Sequence, residues 1–228
     1  VEKAIDAFDR AIATIYGTNV INKKEEWLDN YSIFFSRLLE KGNLAVVTTN
    51  YDLIPEIVIP KLSITNNICY GWDNISDEQI PIFKIHGSVN WDRKFQQTPR
   101  EYNPNVLEIA KNPLFIPPLL FKDTQILDLL SKLWKKIVDY IGCCDYLILF
   151  GHSIPESDKY LRFLLSRGII TTHKEKSIII INKNNQRCED LKKDFNKFAE
   201  ITNTRFIKEV YSYKDKEEFL NHWDNITA

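Results

Sequence analysis

Asn50 and Asp52 stand two residues apart where an apolar run ends, in "LAVVTTNYD", and His86 and Gly87 end another, in "FKIHGS". Histidine is the side chain best suited to proton transfer near neutrality. A carboxamide such as Asn50 can orient ligand hydroxyls or a water without adding charge, and Gly87 would let the backbone approach a ligand closely. Two further groups have the same form: Gly151 and Ser153 in "LILFGHSIPESD", and Asn182 at the end of "IIIIN", where an amide is well placed to bond a ribose. A capped helix start after a glycine turn, as at Gly151–Ser153, is also an anion site.

Each group carries a structural reading too. Asp52 reads as a helix N-cap, with Pro55 in the first turn and Glu56 favourable near the helix dipole. His86 reads equally as a satisfied structural histidine. Ser153 with Glu156 three residues later makes a capping box, with Pro155 in the first turn. His173 and His222 read as surface positions.

The elements that position these groups are legible from periodicity. "VEKAIDAFDRAIATIY" and "KKEEWLDNYSIFFSRLLEKG" repeat apolar residues at helical spacing, and Gly42 is a natural stop. "LAVVTT" reads as a strand, residues 53 to about 83 as irregular, and "IPIFKIHGSVNW" as a short strand running into Gly87. Residues 92 to 113 read as loop, and "LFIPPLLF" as an extended apolar segment. From about Asp123, helices ("TQILDLLSKLWKKIVDYIG", "PESDKYLRFLLSRG", "QRCEDLKKDFNKFA", "KDKEEFLNHW") alternate with strands ("DYLILFG", "KSIIIIN", "TRFIKEV"). Strands apolar throughout, alternating with helices, predict a doubly wound α/β fold: a parallel sheet covered on both faces. Ligands of such sheets bind beyond the carboxyl ends of the strands, which is where all four polar groups fall.

Composition narrows the classes. A chain of 228 residues, 44% hydrophobic and 27% charged, fits one globular domain, and the formal net charge of −1 supplies no global attraction for nucleic acid or an anionic membrane. No apolar run approaches bilayer-spanning length. Cys69, Cys143, Cys144 and Cys188 include no C-x-x-C pair, so they read as small buried or helix-ending residues, and a cytoplasmic location without metal is expected. The chain contains no methionine, which reads as a fragment or a chain with residues omitted.

Taken in order, the four groups resemble the sirtuin family, and more narrowly the sirtuin-like domains of prokaryotic antiphage defence proteins. "TTNYD" resembles the family's threonine/glutamine–asparagine–x–aspartate motif and "KIHGS" its histidine–glycine motif. "FGHSIPESD" is similar to the glycine–tyrosine–serine–x–proline–x–x–aspartate run of the defence branch, and "IIIIN" to the strand whose asparagine meets the adenine-side ribose. The resemblance covers roughly residues 40 to 210. It implies a Rossmann-like, sirtuin-type fold acting on NAD as substrate. Asn50 would orient the nicotinamide ribose and an attacking water, and His86 would be the general base on a ribose hydroxyl. Asp52 would support the nicotinamide pocket, with Gly87 beside it; Gly151 and Ser153 would contact phosphate or ribose, and Asn182 the adenine-side ribose.

Two departures from the family shape the expectation. No G-x-G or G-A-G occurs, so the glycine-rich turn that cradles pyrophosphate either lies on a strand upstream of this chain or is absent. The two C-x-x-C pairs of protein-deacylating sirtuins are also missing. The expected activity is therefore hydrolysis of NAD to nicotinamide and ADP-ribose, or a cyclic relative, by one sirtuin-like domain over residues 1–228. Residues 1–41 form its helical segment, 42–122 its catalytic motifs and insertion, and 123–228 its regular α/β half. Control by homo-oligomerisation, a second domain or a partner protein is expected. The alternatives are a silent NAD or ADP-ribose sensor, an NAD-dependent deacylase, and a set of clusters that merely cap helices.

Overall fold

The computed structural model describes residues 25–62, 67–72, 74–116, 124–171, 174–202 and 206–227. The first expected helix and His173 lie outside these residues, as does the end of "LFIPPLLF". The chain is mixed α/β and divides into two compact units, Val1–Lys135 and Lys136–Ala228.

In the first unit, helix α1 (Glu25–Leu39) buries Phe34, Phe35 and Leu38, a spacing that puts them on one face. Strand β1 (Val46–Thr48) leads into a short helix α2 (Ile54–Val58) and a 3₁₀ turn (Ile59–Lys61); β2 (Asn67–Cys69) and β3 (Gln79–Lys84) follow. The order is β1-β3-β2, with both pairings parallel. Residues 53–83 are therefore more regular than the sequence reading expects: a prolyl residue at the start of α2 and another in the 3₁₀ turn confine the helical pieces to a few residues each. A turn through His86 carries β3 into β4 (Gly87–Asp92), which pairs antiparallel with β5 (Pro113–Phe115). The connection between them holds two 3₁₀ turns, Arg93–Phe95 and Pro99–Glu101. Leu53, Val89 and Phe115 form a buried cluster, with Tyr51, Ile57 and Ile109 packed against it.

Helix α3 (Thr124–Cys143) contains the boundary between the units and ends at Cys143, as the sequence reading expects. In the second unit β6 (Tyr146–Phe150), β7 (Lys176–Ile181) and β8 (Ile207–Tyr213) form a parallel sheet in that order. Helices α4 (Lys159–Ile170), α5 (Asn185–Thr202) and α6 (Lys216–Ile226) follow the three strands in turn. Strand β7 is central and buried at every position. The isoleucines at 178–181 are at most 1% exposed, each worth about 1.5–3 kcal/mol of transfer free energy. "DYLILFG" does not share that fate. Among the described residues β6 lies at the edge of this sheet; it buries only Leu149, and Phe150 is exposed. Helix α6 begins with a reciprocal cap: the Asp215 carboxylate accepts from Glu218 N at 2.9 Å, and Glu218 Oε2 accepts from Lys214 N at 2.9 Å.

Candidate functional site

Within the first unit, the parallel register β1–β3 aligns Val46 with Ile82, Val47 with Phe83 and Thr48 with Lys84. Ile85 N donates to Thr48 O at 3.0 Å and carries the pairing one step further. Asn50 and His86 each lie two residues beyond the last aligned pair, so the carboxyl ends of neighbouring strands deliver both to the same sheet edge. The Asn50 side chain is exposed and His86 is partly buried.

The backbone between Asn50 and Asp52 is held residue by residue. Asn50 N donates to Thr48 Oγ1 at 3.0 Å, and Tyr51 O accepts from Val89 N at 3.1 Å. Asp52 O accepts from the Lys84 ammonium. The Tyr51 hydroxyl donates to Ile116 O at 2.5 Å, and its ring packs on Phe115 with centroids 4.7 Å apart. On the other strand, His86 O accepts from Ile116 N at 2.7 Å and Ile85 O from the Trp134 indole at 3.0 Å.

Asp52 is buried, and its Oδ1 accepts from Ile54 N at 3.1 Å. The N-cap of α2 is Leu53, without a side-chain cap, so Asp52 secures the helix start from one position earlier than the sequence reading places it. Glu56 lies in the first turn of α2, as the sequence reading places it, but it is also buried. Its carboxylate pairs with the Lys84 ammonium at 2.9 Å, with both side chains 0% exposed.

That ion pair begins a polar network which sequence reasoning missed. The Tyr70 hydroxyl donates to Glu56 Oε1 at 2.9 Å and accepts from Asn90 Nδ2 at 2.8 Å. Asn90 Nδ2 also donates to Val106 O at 2.8 Å, and Asn90 Oδ1 accepts from the Ser88 hydroxyl at 2.7 Å. Burial, and then the Glu56 charge, push the Tyr70 hydroxyl well above its ordinary pKa, so it stays a proton donor. An aromatic wall backs the network: Trp91 stacks on Tyr102 with centroids 5.0 Å apart and meets Tyr70 edge-on at 5.1 Å. The missed signal was a lysine inside the apolar strand "IPIFKI" and a glutamate inside "IPEIV", since charges in such runs are buried only when paired.

Gly87 makes room for a neighbouring strand. Its φ is +87°, and a Cβ there would lie 2.4 Å from Leu114 O and 2.6 Å from Phe115 Cα. The backbone it admits is that of β5. Gly151 differs: its φ is +67°, but a Cβ would meet nothing within 4 Å.

Within the second unit, Gly151, Ser153 and Asn182 gather beyond the carboxyl ends of β6 and β7. Gly151 N donates to Ile181 O at 2.8 Å, continuing the register that pairs Phe150 with Ile181. Asn182 donates from Nδ2 to His152 O at 3.3 Å and accepts at Oδ1 from Asn184 N at 3.0 Å, so its amide already braces two turns. Ser153 is exposed, and its carbonyl accepts from Arg187 Nε at 2.8 Å.

Ser153 does not cap a helix. Helix α4 begins at Lys159, and the Asp158 carboxylate caps it by accepting from Leu161 N at 3.0 Å. The reason lies in Ile154–Pro155. A residue before proline is disfavoured in the helical region, and Ile154 takes φ +46°, which is rare for a β-branched residue. Ile154 N donates to His152 Nδ1 at 2.8 Å, and its carbonyl accepts from Arg162 at 3.4 Å and Arg187 at 3.3 Å. These bonds sustain a conformation that costs about 1–3 kcal/mol.

Among the described residues no cluster of three or more His, Cys, Asp or Glu could hold a metal ion, and no helix is long and apolar enough to cross a membrane. No protein-family model and no curated protein matches this chain.

Proposed function

We propose that the protein is a sirtuin-like NAD hydrolase on a doubly wound α/β scaffold, releasing nicotinamide and ADP-ribose. The observation that carries the reading is the β1–β3 register. It sets an exposed carboxamide, Asn50, and a partly buried imidazole, His86, beyond the carboxyl ends of adjacent parallel strands, the position at which α/β sheets take their ligands.

Those two residue types suit the reaction. Cleavage of the nicotinamide–ribose bond returns the bonding pair to the pyridinium nitrogen, so a neutral molecule departs and positive charge builds on the ribose. No strong nucleophile is needed. The ribose must be held, the charge tolerated, and one proton accepted as water adds at the anomeric carbon. Asn50 orients the ribose and the water without competing for the proton; His86 takes a proton from a ribose hydroxyl, and that oxygen recovers one from the water as it adds, so a single proton in all passes to His86. Asp52, buried and already bonded to Ile54 N, shapes the turn beside them. In the second unit, the open space at Gly151 and the exposed Ser153 hydroxyl suit a phosphate or ribose, and Asn182 braces that turn. A regulated role in antiphage defence is the biological setting we infer from the motif resemblance.

The test is NAD turnover by the full-length protein, following nicotinamide and ADP-ribose by chromatography, beside His86→Ala and Asn50→Ala. Turnover that both substitutions reduce by about 10²-fold or more supports the assignment. Turnover indifferent to His86→Ala overturns the mechanism, and ADP-ribose binding without turnover replaces the hydrolase with a sensor.

A further inference from the structure

We infer that Lys84, held by Glu56, is a positioning residue: it fixes the Asn50–Asp52 turn by donating from its buried ammonium to Asp52 O. The inference deepens the function proposed above and rests on it for its catalytic consequence, though not for its structural one.

Three observations carry it. The Lys84–Glu56 pair is completely enclosed, with N–O separation 2.9 Å. Such a pair gives little net stability compared with an apolar pair of similar volume, because desolvation offsets the Coulombic attraction. Its presence therefore calls for a role other than stability. Second, the ammonium reaches past its carboxylate partner to the carbonyl of Asp52, two residues from Asn50. Third, Glu56 is itself fixed by the Tyr70 hydroxyl, which Asn90 holds in turn from β4. The network thus ties the turn after β1 to the end of β3, to Tyr70 after β2, and to β4.

Other restraints on the turn act at Asn50 N, at Tyr51 O, at the Tyr51 hydroxyl on Ile116 O and at the Asp52 carboxylate on Ile54 N. Lys84 holds the Asp52 carbonyl, and among these bonds it is the one donated by a cation reaching in from the neighbouring strand β3. A carbonyl held by a charged donor is held more firmly than by a neutral one. Without it, residues 50–52 keep their chain path, but the exposed Asn50 amide loses its fixed origin.

Lys84→Met by itself leaves Glu56 charged and enclosed, so the variant to make is Lys84→Met with Glu56→Leu. The pair is then apolar, and the Tyr70 hydroxyl can turn its proton to Asn90 Oδ1, 3.2 Å away. Two readouts are taken on the full-length protein. Hydrogen exchange followed by mass spectrometry should show amides within residues 50–57 exchanging about 10-fold faster or more, with α1 and β7 unchanged. NAD turnover should fall about 10- to 100-fold in kcat, as expected for a displaced catalytic group, with the Kd for ADP-ribose changed less than about 3-fold.

Unchanged exchange over residues 50–57 overturns the inference, as does loosening that extends through α1. Faster local exchange with wild-type kcat overturns the link to catalysis. If the wild-type protein turns over no NAD, the proposed function fails, and the exchange pattern alone decides whether Lys84 positions the turn.

Discussion

The two units end their parallel strands in polar groups, yet they hold those groups by opposite means. In the second unit, a strand of buried isoleucines, β7, fixes the sheet, and the residues beyond it are braced by part-buried or exposed side-chain bonds to main-chain carbonyls: Asn182 to His152 O, and Arg187 to Ser153 O. In the first unit β1 and β2 have three residues each, and β1 leaves Val47 exposed. Strands that short cannot fix a turn by apolar burial alone. There the buried Lys84–Glu56–Tyr70–Asn90 network does it, with Leu53 and Tyr51 packed against Val89 and Phe115. Apolar burial is tolerant of direction. Buried charge is not, because each donor needs its partner in place. The first arrangement suits a sheet, and the second suits a side chain that must point one way.

Breaking one partner of the ion pair should have the largest effect on stability. Glu56→Ala leaves the Lys84 ammonium enclosed without its carboxylate and should cost about 3–5 kcal/mol, read by urea denaturation. If it costs under about 1 kcal/mol, the first unit is not held by charge and the contrast collapses. In the second unit, Ile179→Ala opens a cavity in β7 and should cost about 2–4 kcal/mol. The two sites should also differ in how they are repaired. Replacing both partners with apolar residues, as in Lys84→Met with Glu56→Leu, should recover most of the lost stability, whereas no change of charge should recover Ile179→Ala.

A smaller effect tests the corrected helix start. Asp158→Ala should cost about 1 kcal/mol, and Ser153→Ala should lie within about 0.5 kcal/mol of wild type, as for a surface change. The reverse order would restore Ser153 as the cap.

The smallest effects are pH-dependent. The Tyr70 pKa is raised in the folded protein, so the native state keeps this proton when the unfolded chain, near 10.0, releases it. Unfolding then releases protons, and stability must fall as pH rises through and above that value. Tyr70→Phe should reduce that alkaline slope in denaturation midpoints between pH 9 and about 11. In the second unit, burial pushes the Cys144 thiol up to about 11. Its alkylation rate should keep climbing between pH 9 and 11, and a plateau by pH 9 would contradict that environment.

Much of the local structure was legible in the sequence. Helices α1, α3, α5 and α6 follow from apolar spacing, and β7 from four consecutive isoleucines. The placement of Asn50, His86, Gly151 and Asn182 just past strand ends follows from where each apolar run stops. Other features were hidden because they depend on neighbours distant in the chain. "DYLILFG" and "KSIIIIN" are nearly equal in apolar content, but only one lies at the sheet centre. Ser153 and Glu156 have capping-box spacing, but Ile154 before Pro155 diverts the chain, and the helix waits for Asp158.

Outside residues 53–83, the sequence by itself determined most of the helices and strands, and that polar groups follow the strands. Both depend on residues near one another in the chain, through periodicity and backbone sterics. Tertiary structure alone decided that Lys84 meets Glu56, 28 positions earlier by its numbering, and then Asp52 O. It also decided that Gly87 makes room for β5 and that β1 and β3 lie side by side with Asn50 and His86 beyond them. Each of these is a pairing across the fold. No local pattern encodes it, because burial and partner are set only once the strands have chosen their order.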